Sequence, residues 1–481
     1  MNKFLLKIKD TLFIIVIFLF IFISPSYASK RIAVLPFEVL DNDPKIKQFG
    51  IGTMDTLTNA LGNIPEFIMI DRGQLNAVMK EVAFQNSGFT DSKTTIKLGR
   101  LLNAEILVLG TIQVEDKNYR VNVHFTDVES GVIIKSLSPV TGTSIFNIQD
   151  QLALEIVKQQ NIQITSNQKE LISDITNATD NITAYDYYTK GRNSYLIFDK
   201  DFSQSVKFFD QALAIDPNYT LALASKAETL SLWAYQLQQS DQPYKDILQK
   251  AEITANQALQ QNNNLAQAYR ALSSVYNIKH NFEEGRNSAK KAIDLSPNDG
   301  ESYFWLWANT LDHSIDDPLI KKTLQLNPFF ILAYLTLGDE YNAKGENDEA
   351  IKQYQKVLTI NPDSAIAYYN IGVCYNAQGK YDQAIELYKK AILLNPNDIA
   401  YYDNLGIIYY YREELDEAIK LYQKAISINP NNYMAYYLIG LAYKKQGKYE
   451  QAIIQFKNAC KLGSSDSCEI LKKSYAGQNT Q

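Results

Sequence analysis

The chain has 481 residues and a formal net charge of −6, with 47 Lys and Arg against 53 Asp and Glu. That length exceeds what one hydrophobic core organises, so two or more domains are expected. The mixed, slightly acidic balance excludes a nucleic-acid-binding surface, which needs a basic stripe.

Residues 1–28 read as a signal peptide. Lys3, Lys7 and Lys9 precede an unbroken apolar run at 12–23, and Ser26-Tyr27-Ala28 forms a small-x-small boundary that sets Ser29 as the mature start. The alternative is an uncleaved anchor, for which about twelve apolar residues is short of the ~20 that a span takes. No cysteine lies near the boundary to carry a lipid. An exported chain follows, periplasmic or associated with an outer membrane.

Residues 29–160 have the texture of an α/β domain. Apolar runs at 31–37 and 67–70 read as buried strands. Helical spacing occupies 48–63, 74–83 (with Asp71 as its cap) and 95–103. A strand follows at 105–112. In the next, Tyr119, Val121, Val123 and Phe125 alternate with Arg120, Asn122, His124 and Thr126. A strand at 132–137 and a helix at 145–157 complete the unit. Residues 161–183, rich in Asn, Thr, Ser and Asp, read as a linker with a short helical piece at 170–174.

From residue 184 the chain repeats. Four consecutive units, 331–364, 365–398, 399–432 and 433–466, share a period of 34. Position 4 is Tyr334, Tyr368, Tyr402 or Tyr436; position 8 is Gly338, Gly372, Gly406 or Gly440; position 20 is Ala350, Ala384, Ala418 or Ala452. Position 24 is Tyr354, Tyr388, Tyr422 or Phe456, and Pro362, Pro396 and Pro430 stand at position 32. Small residues let two helices approach, large ones fill the flanks, and Asn-Pro stops the second helix. Earlier units are less regular: 184–219, 220–265 with an insertion at 236–244, 266–299, and the weakest, 300–330, where Trp305, Trp307 and Pro318 sit off pattern. A helix at 467–475 covers the last repeat, and a tail runs to 481. The expected architecture is an α/β N-terminal domain followed by an all-α solenoid, a right-handed superhelix of about eight hairpins.

This grammar resembles the tetratricopeptide repeat (TPR). In that family the first helix of each hairpin lines a concave groove, mainly through positions 2, 5, 6, 9, 12 and 13. The resemblance carries those roles to Asp339, Asn342, Tyr369, Asn370, Asn376, Asp403, Asn404, Tyr410, Tyr411, Tyr437 and Lys444. Asn370 and Asn404 hold position 6, where the family uses Asn to bond a ligand backbone. An aromatic and amide surface suits an extended protein or peptide partner, and also a glycan. The basic clamp that some TPR domains use for carboxylates is missing. The bland alternative is a solvated face that binds nothing tightly.

Residues 29–160 resemble the curli-secretion (CsgG-like) family through RIAVLPF at 31–37, Gly50, FIMIDRGQLNAVMKE at 67–81, LGRLLNAEILVLGTI at 98–112 and DVESGVI at 127–133. The resemblance implies an extracytoplasmic module tied to outer-membrane assemblies. The family's pore needs a lipidated cysteine and long membrane hairpins. The tight turn around Asp116-Lys117-Asn118 leaves no room for such an insertion, so the soluble fold carries over and the pore does not.

Cys374 reads as a small buried thiol. Cys460 and Cys468 fall in the last turn of one helix and the first turn of the next. Their spacing resembles the helix-linking disulfides of bacterial cysteine-rich helical-repeat proteins, and with export this implies a bridge. Two free thiols are the alternative. His124, His280 and His313 lie far apart, and no phosphate loop, nucleophile elbow or metal-spaced cluster appears. No enzyme, metal or cofactor is expected. The expected role is an envelope scaffold holding a resident partner; the alternative is an accessory of a secretion or surface-polymer export system holding a passenger.

Overall fold

The computed structural model describes residues 29–41, 44–70, 73–75, 78, 92–115, 118–195, 202–239, 243–310 and 314–478. The signal segment, the Asp71 cap, most of the helix expected at 74–83, Asp116, Lys117, the middle of the 236–244 insertion and His313 lie outside them.

The N-terminal domain is built on a mixed sheet of seven strands: β1 (Lys30–Val34), β2 (Glu38–Val39), β3 (Phe67–Met69), β4 (Ile106–Glu115), β5 (Asn118–Asp127), β6 (Ile133–Ser136) and β7 (Val140–Gly142). The order is β3-β1-β4-β5-β6, with β2 also on β4 and β7 also on β5. β1 pairs in parallel with both neighbours, and Ile32, Ala33 and Val34 are fully buried. A strand buried on both faces reads as a continuous apolar run, as this one does. It is shorter than expected because the chain leaves the ladder around Pro36, and Phe37 N–H turns instead to Gly50 O at 3.1 Å. β4 and β5 pair antiparallel from Ile106↔Asp127 to Glu115↔Asn118, so two residues connect them. Helices α1 (Pro44–Leu61), α2 (Ser92–Leu101) and α3 (Ile145–Gln159) accompany the sheet.

The expected linker is not one. Residues 166–176 form a helix, α4 (Ser166–Thr176), opened by a capping box between Thr165 and Gln168. Ile172 and Ile175 are buried, and the Thr176 hydroxyl donates to Asp150 on α3 at 2.9 Å. The capping signal and the apolar spacing were present in the sequence, masked by the polar composition around them.

Eight hairpins follow among the described residues: α5 (Ile182–Tyr195) with α6 (Phe202–Ile215), α7 (Thr220–Gln239) with α8 (Lys245–Gln261), α9 (Ala266–Ile278) with α10 (Phe282–Leu295), and α11 (Gly300–Ala308) with α12 (Pro318–Leu326). The regular set is α13 (Ile331–Ala343) with α14 (Asn347–Ile360), α15 (Ala365–Ala377) with α16 (Tyr381–Leu394), α17 (Ile399–Tyr411) with α18 (Leu415–Ile428), and α19 (Tyr433–Lys445) with α20 (Tyr449–Lys461). In the irregular fourth hairpin both helices have 9 residues instead of 13 or 14. Buried Trp305 and Trp307 fill the space the missing turns leave, and Pro318 starts α12 behind the Asp317 cap. The final helix, α21 (Ser465–Gln478), is longer than the expected 467–475.

The domain and the array share one core. A single buried cluster runs from Ile32 through Leu152 and Ile172 to Tyr185, Tyr219 and Ala268. Tyr185 on α5 is its hinge pin. Its hydroxyl lies 3.0 Å from Thr56 Oγ1 on α1 and accepts from Gln149 Nε2 on α3 at 3.0 Å. Its ring rests on Gly52, where a Cβ would come within 2.5 Å of it. Further along, Gln267 Nε2 donates to Asn59 Oδ1 at 3.1 Å, Ser296 Oγ to Gly62 O at 3.0 Å, and Arg31 Nη1 to Gln325 O at 3.2 Å. Asn298 Nδ2 donates to Pro65 O and Phe67 O, so the array covers the edge of the sheet at β3.

Candidate ligand groove

The regular repeats use their signature residues in two ways. Position 24 lays an aromatic ring on the glycine at position 8; a Cβ on Gly372 would meet the Tyr388 ring at 2.7 Å. Position 4 ties successive hairpins: the hydroxyls of Tyr334, Tyr368 and Tyr402 donate to the carbonyls of Pro328, Pro362 and Pro396 at 3.1, 3.2 and 2.9 Å. These contacts fix how each first helix presents its remaining side chains.

Several of the residues assigned to the groove form a ladder from one repeat to the next. Asp339 Oδ1 accepts from the Tyr354 hydroxyl at 2.6 Å and from Asn370 Nδ2 of the following repeat at 3.2 Å. Asn404 Nδ2 donates to the Tyr369 hydroxyl at 2.9 Å, again across a repeat boundary. Asp403 Oδ2 accepts from Asn432 Nδ2 at 3.1 Å. Asn342 Oδ1 accepts a weak bond from the Cys374 thiol at 3.7 Å. The position-6 amides are thus engaged within the floor as well as facing it.

The aromatics are grouped too. Tyr369 packs on Tyr401 with ring centroids 4.8 Å apart, Tyr410 meets Tyr411 edge-on at 5.7 Å, and Tyr437 lies against Phe456 at 6.1 Å. Lys445 holds its ammonium 5.0 Å from the centre of the Tyr410 ring and ion-pairs with Glu413. Asn376 and Lys444 make no side-chain hydrogen bond among the described residues.

The floor is electrostatically unusual. Asp339 is exposed at its surface yet closely surrounded by protein groups, and Asp403 is half-buried. Burial pushes each carboxyl up to about 6, with Glu340 adding to it at Asp339 and Asp398 at Asp403. Burial likewise pushes Tyr369 up to about 12 and the Cys374 thiol up to about 11. That thiol is buried and inert.

Sequence reasoning treated Tyr388 and Tyr422 only as packing residues. Both are fully buried, and among the described residues neither hydroxyl has a hydrogen-bond partner; Asp403 Oδ1 also lacks one. The signal was available by comparing positions 9 and 24. Asp339 faces Tyr354 in one repeat, while Val373 and Ile407 take position 9 in the next two.

At the far end Cys460 and Cys468 form a disulfide with Cα atoms 4.9 Å apart, tying α20 to α21. Of the histidines, His124 is half-buried on β5, and burial lowers its pKa. His280 occupies the turn between α9 and α10 at φ 58°. Among the described residues, no three His, Cys, Asp or Glu side chains converge as a metal site, and no helix is long and apolar enough to cross a membrane.

Tetratricopeptide-repeat family models match residues 338–379, 363–431 and 421–454. The family model of the curli production assembly/transport component CsgG matches residues 28–123. The chain therefore carries TPR repeats over 338–454 behind an N-terminal CsgG domain. It is similar to two crystal structures of MamA, each 27% identical, with TM-scores of 0.29 and 0.28, spanning 40% and 41% of this chain and 93% and 91% of theirs. It is also similar to the crystal structure of the APC/C hetero-tetramer Cut9-Hcn1, 18% identical with a TM-score of 0.45, over 68% of this chain and 63% of that one. No curated protein matches. TPR repeats suggest a protein-interaction scaffold, and the CsgG family is associated with the cell envelope.

Proposed function

We propose that the protein is a non-enzymatic scaffold of the bacterial envelope, exported to the periplasm or held at the outer membrane, whose groove over residues 331–466 holds a partner polypeptide. One observation carries this reading. The chain's own α/β domain is bonded to the first four repeats, and the floor of the last four keeps the Tyr388 and Tyr422 hydroxyls and Asp403 Oδ1 without hydrogen-bond partners among the described residues. The N-terminal domain supplies the second attachment, to an outer-membrane assembly.

The test is photo-crosslinking in intact cells from two positions of matched accessibility, Tyr411 in the groove and Leu393 on a second helix, 73% and 75% exposed. A discrete adduct from position 411 and none from 393 supports the reading. Equal labelling from both, or none from either, refutes it. The description of the CsgG match as a transport component favours a second reading, in which the occupant is a passenger of an export system. Pulse-chase of the adduct separates the two: a resident persists, a passenger is chased out.

A further inference from the structure

Repeats 331–364 and 433–466 balance the contact between positions 9 and 24. Tyr354 donates to Asp339, and Phe456 needs no acceptor beside Leu441. The two repeats between them break the rule. Tyr388 and Tyr422 keep hydroxyls on rings that lie on Gly372 and Gly406 as the Phe456 ring lies on Gly440. Nothing in packing requires those oxygens, and a buried donor without a partner is costly. Each lies just beneath the groove floor. The half-exposed Tyr369 covers Tyr388 with ring centroids 5.6 Å apart, and Tyr422 lies within the electrostatic reach of Asp403, Tyr410 and Tyr411. Beside them, Asp403 spends one oxygen on Asn432 and leaves Oδ1 unpartnered. With the Tyr369 ring over Tyr388 and Asp403 Oδ1 itself buried, a ligand reaches these groups only with a side-chain move at Tyr369 and Asp403.

The charges there point one way. Asp339, Asp398 and Asp403 all act on Tyr369 in the floor, and Asp398 adds to the cost of ionising Asp403. Lys445 is held on the rim by Glu413 and the Tyr410 ring. Building on the groove reading above, we propose that residues 365–432 hold an extended polypeptide segment bearing a lysine or arginine, whose cation pairs with Asp403 Oδ1 while its backbone carbonyls accept from the Tyr388 and Tyr422 hydroxyls. A cation relieves the repulsion among the carboxylates, and a backbone supplies acceptors at the spacing of successive residues. An acidic segment meets repulsion at the same place.

The experiment selects a phage-displayed library of random dodecapeptides on the full chain. Lysine and arginine should be enriched in the bound pool. A selected basic peptide should bind roughly tenfold more weakly when its basic residue is replaced by glutamine, the scale of one charge-assisted hydrogen bond. Asp403→Asn should erase that difference, and Tyr388→Phe with Tyr422→Phe should weaken all selected peptides without lowering thermal stability. Phe456 already demonstrates that phenylalanine fits the site. Enrichment of acidic or neutral peptides overturns the basic class and leaves groove binding standing. No enrichment of any peptide overturns both. A stability loss in Tyr422→Phe with unchanged binding assigns that hydroxyl to the fold and overturns its role here.

Discussion

The two halves of the array solve the same problem differently. In the first four hairpins the charged groups of the first helices pair across repeats: Arg270 pairs with Glu228 and Asp299 at 2.6 Å each and approaches Glu301 at 3.5 Å, while Arg192 lies 3.7 Å from Glu228; buried Glu228 Oε2 and Ser274 Oγ still make no hydrogen bond among the described residues. The loops of that half are bonded to the α/β domain. In the last four hairpins the repeat grammar is cleaner, and the floor holds carboxyls of raised pKa, Asp339 and Asp403, in place of cross-repeat Arg–carboxylate pairs. Regularity of sequence therefore marks the half that is structurally independent, and irregularity marks the half moulded to another domain. An interface with a neighbour replaces part of the repeat-to-repeat contact, so the consensus residues are no longer the ones that fit.

Breaking the junction should have the largest effect. Tyr185→Ala removes a buried ring that touches Phe146 and Tyr188 and orphans Thr56 and Gln149, and should cost about 3–5 kcal/mol. Hydrogen exchange should find protection lost together in the α/β domain and in residues 182–268. A loss confined to one side of the junction would contradict a shared core.

Next comes the far end. The terminal repeat has one neighbour, and the Cys460–Cys468 bridge, 8 residues in separation, secures the helix that covers its outer face. Cys468→Ser should destabilise that end by about 2–3 kcal/mol on the chain-entropy estimate. Exchange at residues 449–478 should quicken first, with Cys374 remaining unlabelled by thiol reagents in the native state. Simultaneous melting of the whole chain would count against this local role.

Within the regular half, Gly372→Leu forces a side chain into the Tyr388 ring and should cost roughly 1–3 kcal/mol or more. Since repeats couple mainly to neighbours, protection should drop over residues 331–432 and hold in the α/β domain. Spread of the damage to β1 and β4 would erase the distinction between the halves.

The smallest effect has the opposite sign. A carboxyl pushed up to about 6 from 3.8 keeps a proton in the folded state that the unfolded chain has released. Stability from this group therefore falls as pH rises from about 4 through 6 and stays lowered above that. Asp403→Asn should stabilise the protein by about 1 kcal/mol near neutral pH after allowance for solvent screening, with the gain vanishing below pH ~4. Thermal melts across that range measure it, and a destabilised variant at neutral pH would sink the account of the floor.

Much of this was legible in the sequence. A period of 34 with Gly at 8, Ala at 20, an aromatic at 24 and Pro at 32 determines the hairpins, since each residue acts on neighbours at fixed separation. The alternation of Tyr119 to Thr126 likewise determines a half-buried strand, and DVESGVI and RIAVLPF carry the CsgG resemblance. The groove residues Asp339, Asn370, Tyr369 and Asn404 could be placed on one surface from their repeat positions. Their mutual hydrogen bonds could not, because those depend on the rotation between successive hairpins. Only the tertiary structure decided that the helix at 166–176 packs on α3, that Tyr185 locks α1 and α3 to the array, and that Asn298 closes the edge of the sheet. Those contacts join residues from 26 to 233 positions apart, and no local periodicity reports them. The same holds for Tyr388 and Tyr422: the repeat pattern dictated an aromatic ring at each, and the environment of its hydroxyl was decided only when the neighbouring helices came together.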